Sequence, residues 1–373
     1  MNFEFSDEQL MLREQARGFL AQHCPPAVTR KVLESDADYD AELWQNVADM
    51  GWMATTIPEQ YGGLGLSYYE LAIIAEELGR VVAPLPFSSS VYLATEAILQ
   101  FGNEQQKARW LPLLASGEMI ATVAMTERPG QLSEHSISTR FHQDTLTGQK
   151  QPVADSAIST LIIVLAKNAD DELVLCACDA THPTVVHSSL RSLDFSRGHS
   201  AVQFNSSPAE ALTGKTTDWA SIQELLDRAA VLVAWEQLGI ADVALEQACE
   251  YAKQRYAFGR PIGSFQAIKH KLAGMYVKNT LARSNAYFGA WALASGSDQL
   301  PLAAATARVA AIQASVYAAQ ENIQTHGGMG FTWEFDCQFY YRRAKLLSLA
   351  IGSERYWQDR LVTGLDNQTP NAA

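Results

Sequence analysis

The chain has 373 residues, 47% of them apolar and 18% charged, enough to build sizeable hydrophobic cores in one large unit or two to three domains. Its 28 Lys and Arg stand against 41 Asp and Glu, a formal charge of -13. A chain this acidic repels a nucleic-acid backbone and an anionic membrane surface alike, so neither is an expected partner.

The N-terminus, MNFEFSDEQLMLREQARGFL, carries acids where a secretory signal needs a basic stretch and then an apolar one. With no uncharged apolar run of about eighteen residues elsewhere, a cytoplasmic location is expected. From residue 5 to about 117 apolar residues recur at helical spacing, as in EQLMLREQARGFLAQH and ELAIIAEELGRVV, with Pro and Gly clusters between them. This predicts an N-terminal helical domain, 1–117.

From 118 to 215 the pattern shifts to short β-branched runs, LIIVLAK, ELVLCACD, TVVHSSL and SAVQF, separated by turns such as 168–171. A middle β domain, barrel or sandwich, is expected there. Cys176 and Cys178 alternate inside one of these runs, and Cys24, Cys249 and Cys337 are scattered, so the five cysteines read as small core residues and not as metal ligands or disulfides.

From 216 to 373 long helical patterns return, at 222–256, 264–295, 302–325 and from 335 onward, followed by a polar tail, 367–373, expected to be disordered. Four long helices joined by short loops predict a bundle. No G-x-G-x-x-G joins a strand to a helix, and the glycines of GGLGLS (62–67) are wrongly spaced, so a Rossmann nucleotide site is excluded. His270 and His326 stand without a second ligand at metal spacing and read as packed or capping residues, so no metal is expected.

Several segments in the right order resemble the acyl-CoA dehydrogenases: PEQYGGLGLS (58–67), AEELGR (75–80), GNEQQKARWLPLLASGEMIATVAMTE (102–127), RYAFGRPIGSFQAIKHKLAGM (255–275) and QTHGGMGFTWE (324–334). The resemblance implies an α+β fold of that family, with FAD as cofactor, an acyl-CoA as substrate and an electron-transferring flavoprotein as oxidant. FAD needs a fixed cation, side-chain hydrogen bonds and backbone that approaches closely, and Arg255, Gln266 and Gly327 with Gly328 are of those three kinds. By resemblance, Arg255, Phe258 and Gln266 contact the cofactor, Gln324, Gly327 and Gly328 reach it from a neighbouring subunit, and Met125 and Thr126 belong to the β-domain side of the site. The bland alternatives are a helix-end motif for the glycines and a surface ion pair for Arg255.

Two departures stand out. The family's G-S-D segment after T-E is missing, since Met125-Thr126-Glu127 runs into RPGQLS. Its Trp-bearing turn aligns with GQKQPVADSA (148–157), which offers Val153, Ala154 and Asp155. The base is also displaced: Ile351 stands where many members carry a Glu, and the second known location aligns with Ala229.

Within 229–241, a run apolar nearly all round, Glu236 is the lone ionisable residue, two turns or about 10 Å beyond Ala229 on nearly the same face. It is either the base, its pKa raised by burial, or a structural carboxylate bonded to a neighbouring element. The pattern as a whole resembles dehydrogenases of steroid or bile-acid side chains, many of which are two-plus-two tetramers of unlike chains. This implies α,β-dehydrogenation of a bulky or branched acyl-CoA in a homo- or hetero-tetramer, or a non-catalytic subunit that completes a partner's FAD site.

Overall fold

The computed structural model describes residues 5–130 and 132–368. The expected order is observed: a helical N-terminal part, a β-rich middle and a helical C-terminal part. By compactness the described residues divide into one unit of 28–67 and 84–229 and another of 5–27, 68–83 and 230–368.

The first unit holds the β region and the helices that lead into it. Helix α3 (Ala41–Asp49) begins at Asp40, whose carboxylate accepts from the Leu43 amide. Helix α6 (Glu104–Ala115) starts with a reciprocal capping box between Asn103 and Gln106. Between these lies a π-helical run, Ser88–Thr95, continued by α5 (Glu96–Phe101).

Seven strands follow: β1 (Ala121–Ala124), β2 (Arg140–His142), β3 (Thr145–Ala154), β4 (Leu161–Lys167), β5 (Leu173–Asp179), β6 (Val185–Ser189) and β7 (His199–Ala211). They pair in the order β1-β4-β2-β3-β7-β5, and β5 returns to β4, closing a five-stranded ring with β1 and β6 attached outside it. Cys176 and Cys178 pack in the ring's interior with Ile162, Val164, Val202 and Phe204.

The second unit is helical. It contains α1 (Asp7–His23), capped by Ser6 and Gln9, α4 (Tyr68–Arg80), most of α7 (Trp219–Gln254), α8 (Gln266–Ala294) and α9 (Leu300–His326). A short helix, α2 (Pro26–Leu33), straddles the boundary. Small residues let these helices approach: an added Cβ on Gly289 of α8 would sit 3.3 Å from Ala307 of α9. Gly79 of α4 and Gly239 of α7 face each other's helix, and a Cβ on either would lie 2.0 Å from the Glu236 or Glu76 carbonyl. The segment Leu300–Phe331 is long and apolar enough to cross a membrane, yet 61% of its apolar window is buried inside the fold, as in a core helix.

The expected fourth long helix is two, α10 (Cys337–Leu347) and α11 (Glu354–Gln368), which corrects the sequence reading. Between them Ile351 and Gly352 adopt positive φ, 53° and 119°, so the helix cannot continue. Of the tail expected to be disordered, 367 and 368 fall in α11, and 369–373 lie outside the described residues.

Candidate cofactor and acyl site

The segment carrying Arg255 is the C-terminal exit of α7. A two-residue turn, Phe258 and Gly259, joins β8 (Tyr256–Ala257) to β9 (Arg260–Pro261), and both turn residues have positive φ, the geometry that matches strand twist in a tight hairpin. The turn lifts the Phe258 ring to 95% exposure, with only an edge contact to Phe265 at 6.2 Å between ring centres. Arg255 is exposed, and its guanidinium has no ion pair or hydrogen bond among the described residues. Gln266, the first residue of α8, is likewise exposed, and its side-chain amide has no partner among the described residues.

The second segment ends α9. Tyr251, one turn before Arg255, stacks on His326 at 4.1 Å, and Asn322 donates to Gln247 at 2.8 Å, so the C-terminal ends of α7 and α9 lie side by side. His326 is buried; desolvation lowers its pKa against the bond its Nδ1 makes with the Asn322 carbonyl. That settles it as a packed residue. Gln324 is exposed beside it. Gly327 takes φ 62° and ψ -137°, a conformation close to glycine's own, and a Cβ on Gly327 or Gly328 would meet nothing within 4 Å.

In chemistry, this set fits a long anionic dinucleotide: a free guanidinium, two free amides, an exposed ring and bare backbone. The structure brings Arg255, Phe258, Gln266, Gln324, Gly327 and Gly328 to adjacent helix ends of one unit.

Met125 and Thr126 are fastened differently. The Met125 carbonyl accepts from the buried Lys150 ammonium at 3.0 Å, and Thr126 exchanges bonds with Gln151 through both its hydroxyl and its carbonyl. Lys150 also pairs with Glu127 at 2.9 Å, and Glu127 accepts from the amides and hydroxyls of Ser138 and Thr139.

Burial works to raise the Glu127 carboxyl, but the Ser138 hydroxyl, the Lys150 charge and the Thr139 amide outweigh it and hold it down to about 2. Burial pushes Lys150 down to about 8 in spite of Glu127. The two shifts pull opposite ways on stability; the short contact and the extra carbonyl favour the ionised pair at neutral pH.

The turn at 153–155 is committed to its own unit's interior. Val153 is buried, the Ala154 carbonyl accepts from the Thr122 hydroxyl at 2.7 Å, and Asp155, at φ 54°, forms a two-point ion pair with the buried Arg197. Ser89 donates to the same carboxylate, and Arg197 reaches Ser88 at 3.0 Å, tying the turn to the start of the π-helical run.

Glu236 sits in the buried part of α7, 4% exposed, with its Oε1 3.4 Å from Nη1 of Arg343 on α10. Arg343 also donates to the Ala83 carbonyl at 3.1 Å. Beside this pair, Arg308 of α9, fully buried, donates to Gln237 and to the carbonyls of Leu347 and Ala350. Sequence reasoning missed Arg308 and Arg343; the one available signal was Arg308 as the lone charge in the run 302–312, while Arg343 has Arg342 and Lys345 beside it and nothing local marks it.

Family models for the acyl-CoA dehydrogenase N-terminal domain and C-terminal domain match residues 6–118 and 219–362. "Acyl-CoA dehydrogenase IpdE2" of Mycolicibacterium smegmatis is 31% identical over 95% of this chain and 98% of that protein. The chain belongs to the acyl-CoA dehydrogenase family.

Among solved structures, this acyl-CoA dehydrogenase chain is similar to the ChsE4-ChsE5 complex from Mycobacterium tuberculosis, with TM-score 0.90 and 26% identity over 99% of this chain and 100% of that one. It is also similar to a variant of the Tcur3481-Tcur3483 steroid ACAD, with TM-score 0.87 and 27% identity over 97% and 98% of the two chains.

Proposed function

We propose that this chain serves FAD-dependent α,β-dehydrogenation of a bulky or branched, sterol-derived acyl-CoA, as one subunit of a cytoplasmic oligomer whose partner chain supplies the proton acceptor. The observation that carries this reading is the Glu236–Arg343 contact. A carboxylate that accepts from a buried guanidinium on a neighbouring helix is engaged in a structural contact and is not left open to a substrate carbon. Ile351 has no basic atom.

Arg255 pairs with the pyrophosphate of FAD, Gln266 bonds its polar groups and Phe258 covers a ring, with Met125 and Thr126 as the β-domain's contribution, while Gln324, Gly327 and Gly328 reach the FAD of a neighbouring subunit. When bound, FAD supplies the acceptor for the hydride that leaves the β carbon. The electrons then pass to an electron-transferring flavoprotein. The ChsE4-ChsE5 complex and the steroid ACAD named above support, by likeness, an assembly of unlike chains and a steroid-type acyl group.

The test is anaerobic mixing of a steroid-side-chain acyl-CoA with the chain purified alone and with its co-expressed partner, followed at the flavin absorbance. Bleaching that requires the partner is expected. Equal bleaching by the chain alone, abolished by Glu236→Gln, would return the base to this chain.

A further inference from the structure

A groove of about 630 Å³ lies on the outer face of the strand ring, wholly within the first unit. The register sets that face. Cys176 and Cys178 point into the ring, so Ala177 and Asp179 of β5 point out, with Glu210 of β7 across from Ala177 and Leu161 of β4 across from Asp179. Helix α6 forms the opposite wall, fastened to β7 where Gln106 donates to Glu210 at 2.7 Å and to the Ala211 carbonyl at 2.8 Å. Buried Leu161, Ala177 and Trp110, together with Met119, give the groove an apolar floor. Its volume lies in the range of small-molecule sites, roughly 300 to 1,000 Å³.

Three carboxylates line the rim, Asp144, Asp179 and Glu210, against one cation, Arg109. That cation is already engaged: its guanidinium stacks on Trp110 at 4.2 Å and pairs with Glu210. Asp179 accepts from the amide and hydroxyl of Thr181, at 2.8 and 2.7 Å, and has no ion pair among the described residues. The Asp144 carboxylate has neither an ion pair nor a hydrogen bond among them. Two negative charges are therefore left without a cation.

Their spacing follows from the pairing of the strands. Asp144, at φ 55° in the two-residue turn between β2 and β3, accepts from the Ala209 amide of β7 through its carbonyl. Ala209 is paired with Cys178, the neighbour of Asp179 on β5. Asp144 and Asp179 thus stand two strand spacings apart, about 10 Å, across one groove.

We propose that this groove is a binding site for an aliphatic diamine or polyamine, whose methylenes lie on the apolar floor while its terminal ammonium groups meet Asp144 and Asp179. Charge complementarity selects the ligand: an anion is repelled, a bare metal ion gains nothing from the floor, and a chain of charge -13 repels a second copy of itself. The site is independent of the flavin and thioester reading above.

Calorimetric titration of the full chain with diaminoheptane and with putrescine tests this. The two ligands carry equal charge, but only the longer one spans the rim. Diaminoheptane should bind about tenfold more tightly, the scale of two methylenes laid on apolar surface. Met119→Gln, which makes the floor polar at similar size, should reduce that preference. Asp144→Asn/Asp179→Asn keeps the turn and the Thr181 bonds, so it should leave the Tm in place and weaken diaminoheptane about tenfold, the equivalent of two surface ion pairs. The remote exposed pair Asp170→Asn/Asp298→Asn should leave the affinity within about twofold. Equal affinity for the two diamines, or equal weakening by the remote pair, would reduce the effect to the general charge of the surface and overturn the site, as would the absence of any saturable heat.

Discussion

Nη1 of Arg343 lies 3.4 Å from Oε1 of Glu236, and the two side chains are 1% and 6% exposed. One partner comes from α7 and the other from α10, so the contact ties two helices together through charges that water cannot screen. Removing either charge takes a buried ion-pair partner from the other. Glu236→Ala should lower stability by about 3 to 5 kcal/mol, and adding Arg343→Met should recover much of it. Urea unfolding of the single and double variants measures this, and a loss that is purely additive would deny the pairing.

The Glu127–Lys150 pair predicts a specific acid sensitivity. A carboxyl whose folded pKa lies below its ordinary 4.5 contributes stability above that value, and the contribution is lost as pH falls toward about 2. Near-ultraviolet circular dichroism at pH 5, 4 and 3 should show the midpoint falling faster for the wild-type chain than for Glu127→Gln/Lys150→Met. Glu127→Gln alone should cost about 3 to 5 kcal/mol at neutral pH by leaving the buried ammonium unpaired. Parallel pH profiles would remove the pair from this role.

Arg255 separates cofactor binding from folding. Its guanidinium is exposed and makes no ion pair among the described residues, so Arg255→Ala should leave the Tm of the flavin-free chain unchanged. FAD affinity should fall about ten- to a hundredfold, the equivalent of one charge-assisted contact of roughly 1.5 to 3 kcal/mol. Fluorescence titration with FAD reads the second quantity; unchanged affinity would leave Arg255 as a solvated surface residue.

Gly327 and Gly328 make a matched pair of controls. Both have open space where a Cβ would sit, but only Gly327 has positive φ. Gly327→Ala should destabilise the flavin-free chain by about 1 to 3 kcal/mol through backbone strain. Gly328→Ala should leave folding as it was and weaken FAD retention on gel filtration, because the methyl group intrudes on an approaching ligand. Full FAD retention in Gly328→Ala would argue that no ligand comes near.

The long helices were legible because their apolar spacing is local, and so was the buried stretch of α7 with Glu236 as its lone acid. Arg343 was not. It follows Glu236 by 107 residues, and no periodicity links them. Strand β3 was hidden for a similar reason: Gly148, Lys150 and Pro152 look like a polar turn, and Lys150 is fully buried only because Glu127 and the Met125 carbonyl await it.

The break after α10 depends on Arg308, a residue of another helix, and on a β-branched residue at positive φ that no propensity would place there. The segments assigned to a cofactor were singled out through resemblance, since Arg255, Gln266 and Gln324 carry no mark of their own in composition or period. The inward commitment of Asp155 became visible only with Arg197 beside it.

The reciprocal crossing at Gly79 and Gly239 has a consequence for how this sequence can vary. Each lies against the backbone of the opposite helix, so the tolerance of both positions is set by main-chain atoms that no compensating side-chain change can remove. In a saturation library scored for soluble expression, both should be depleted of every substitution, alanine included, as severely as any position of chemical importance. Intolerance at these two sites would therefore report helix spacing, and a reader who ranked residues by mutational depletion alone would mistake a contact between two backbones for chemistry.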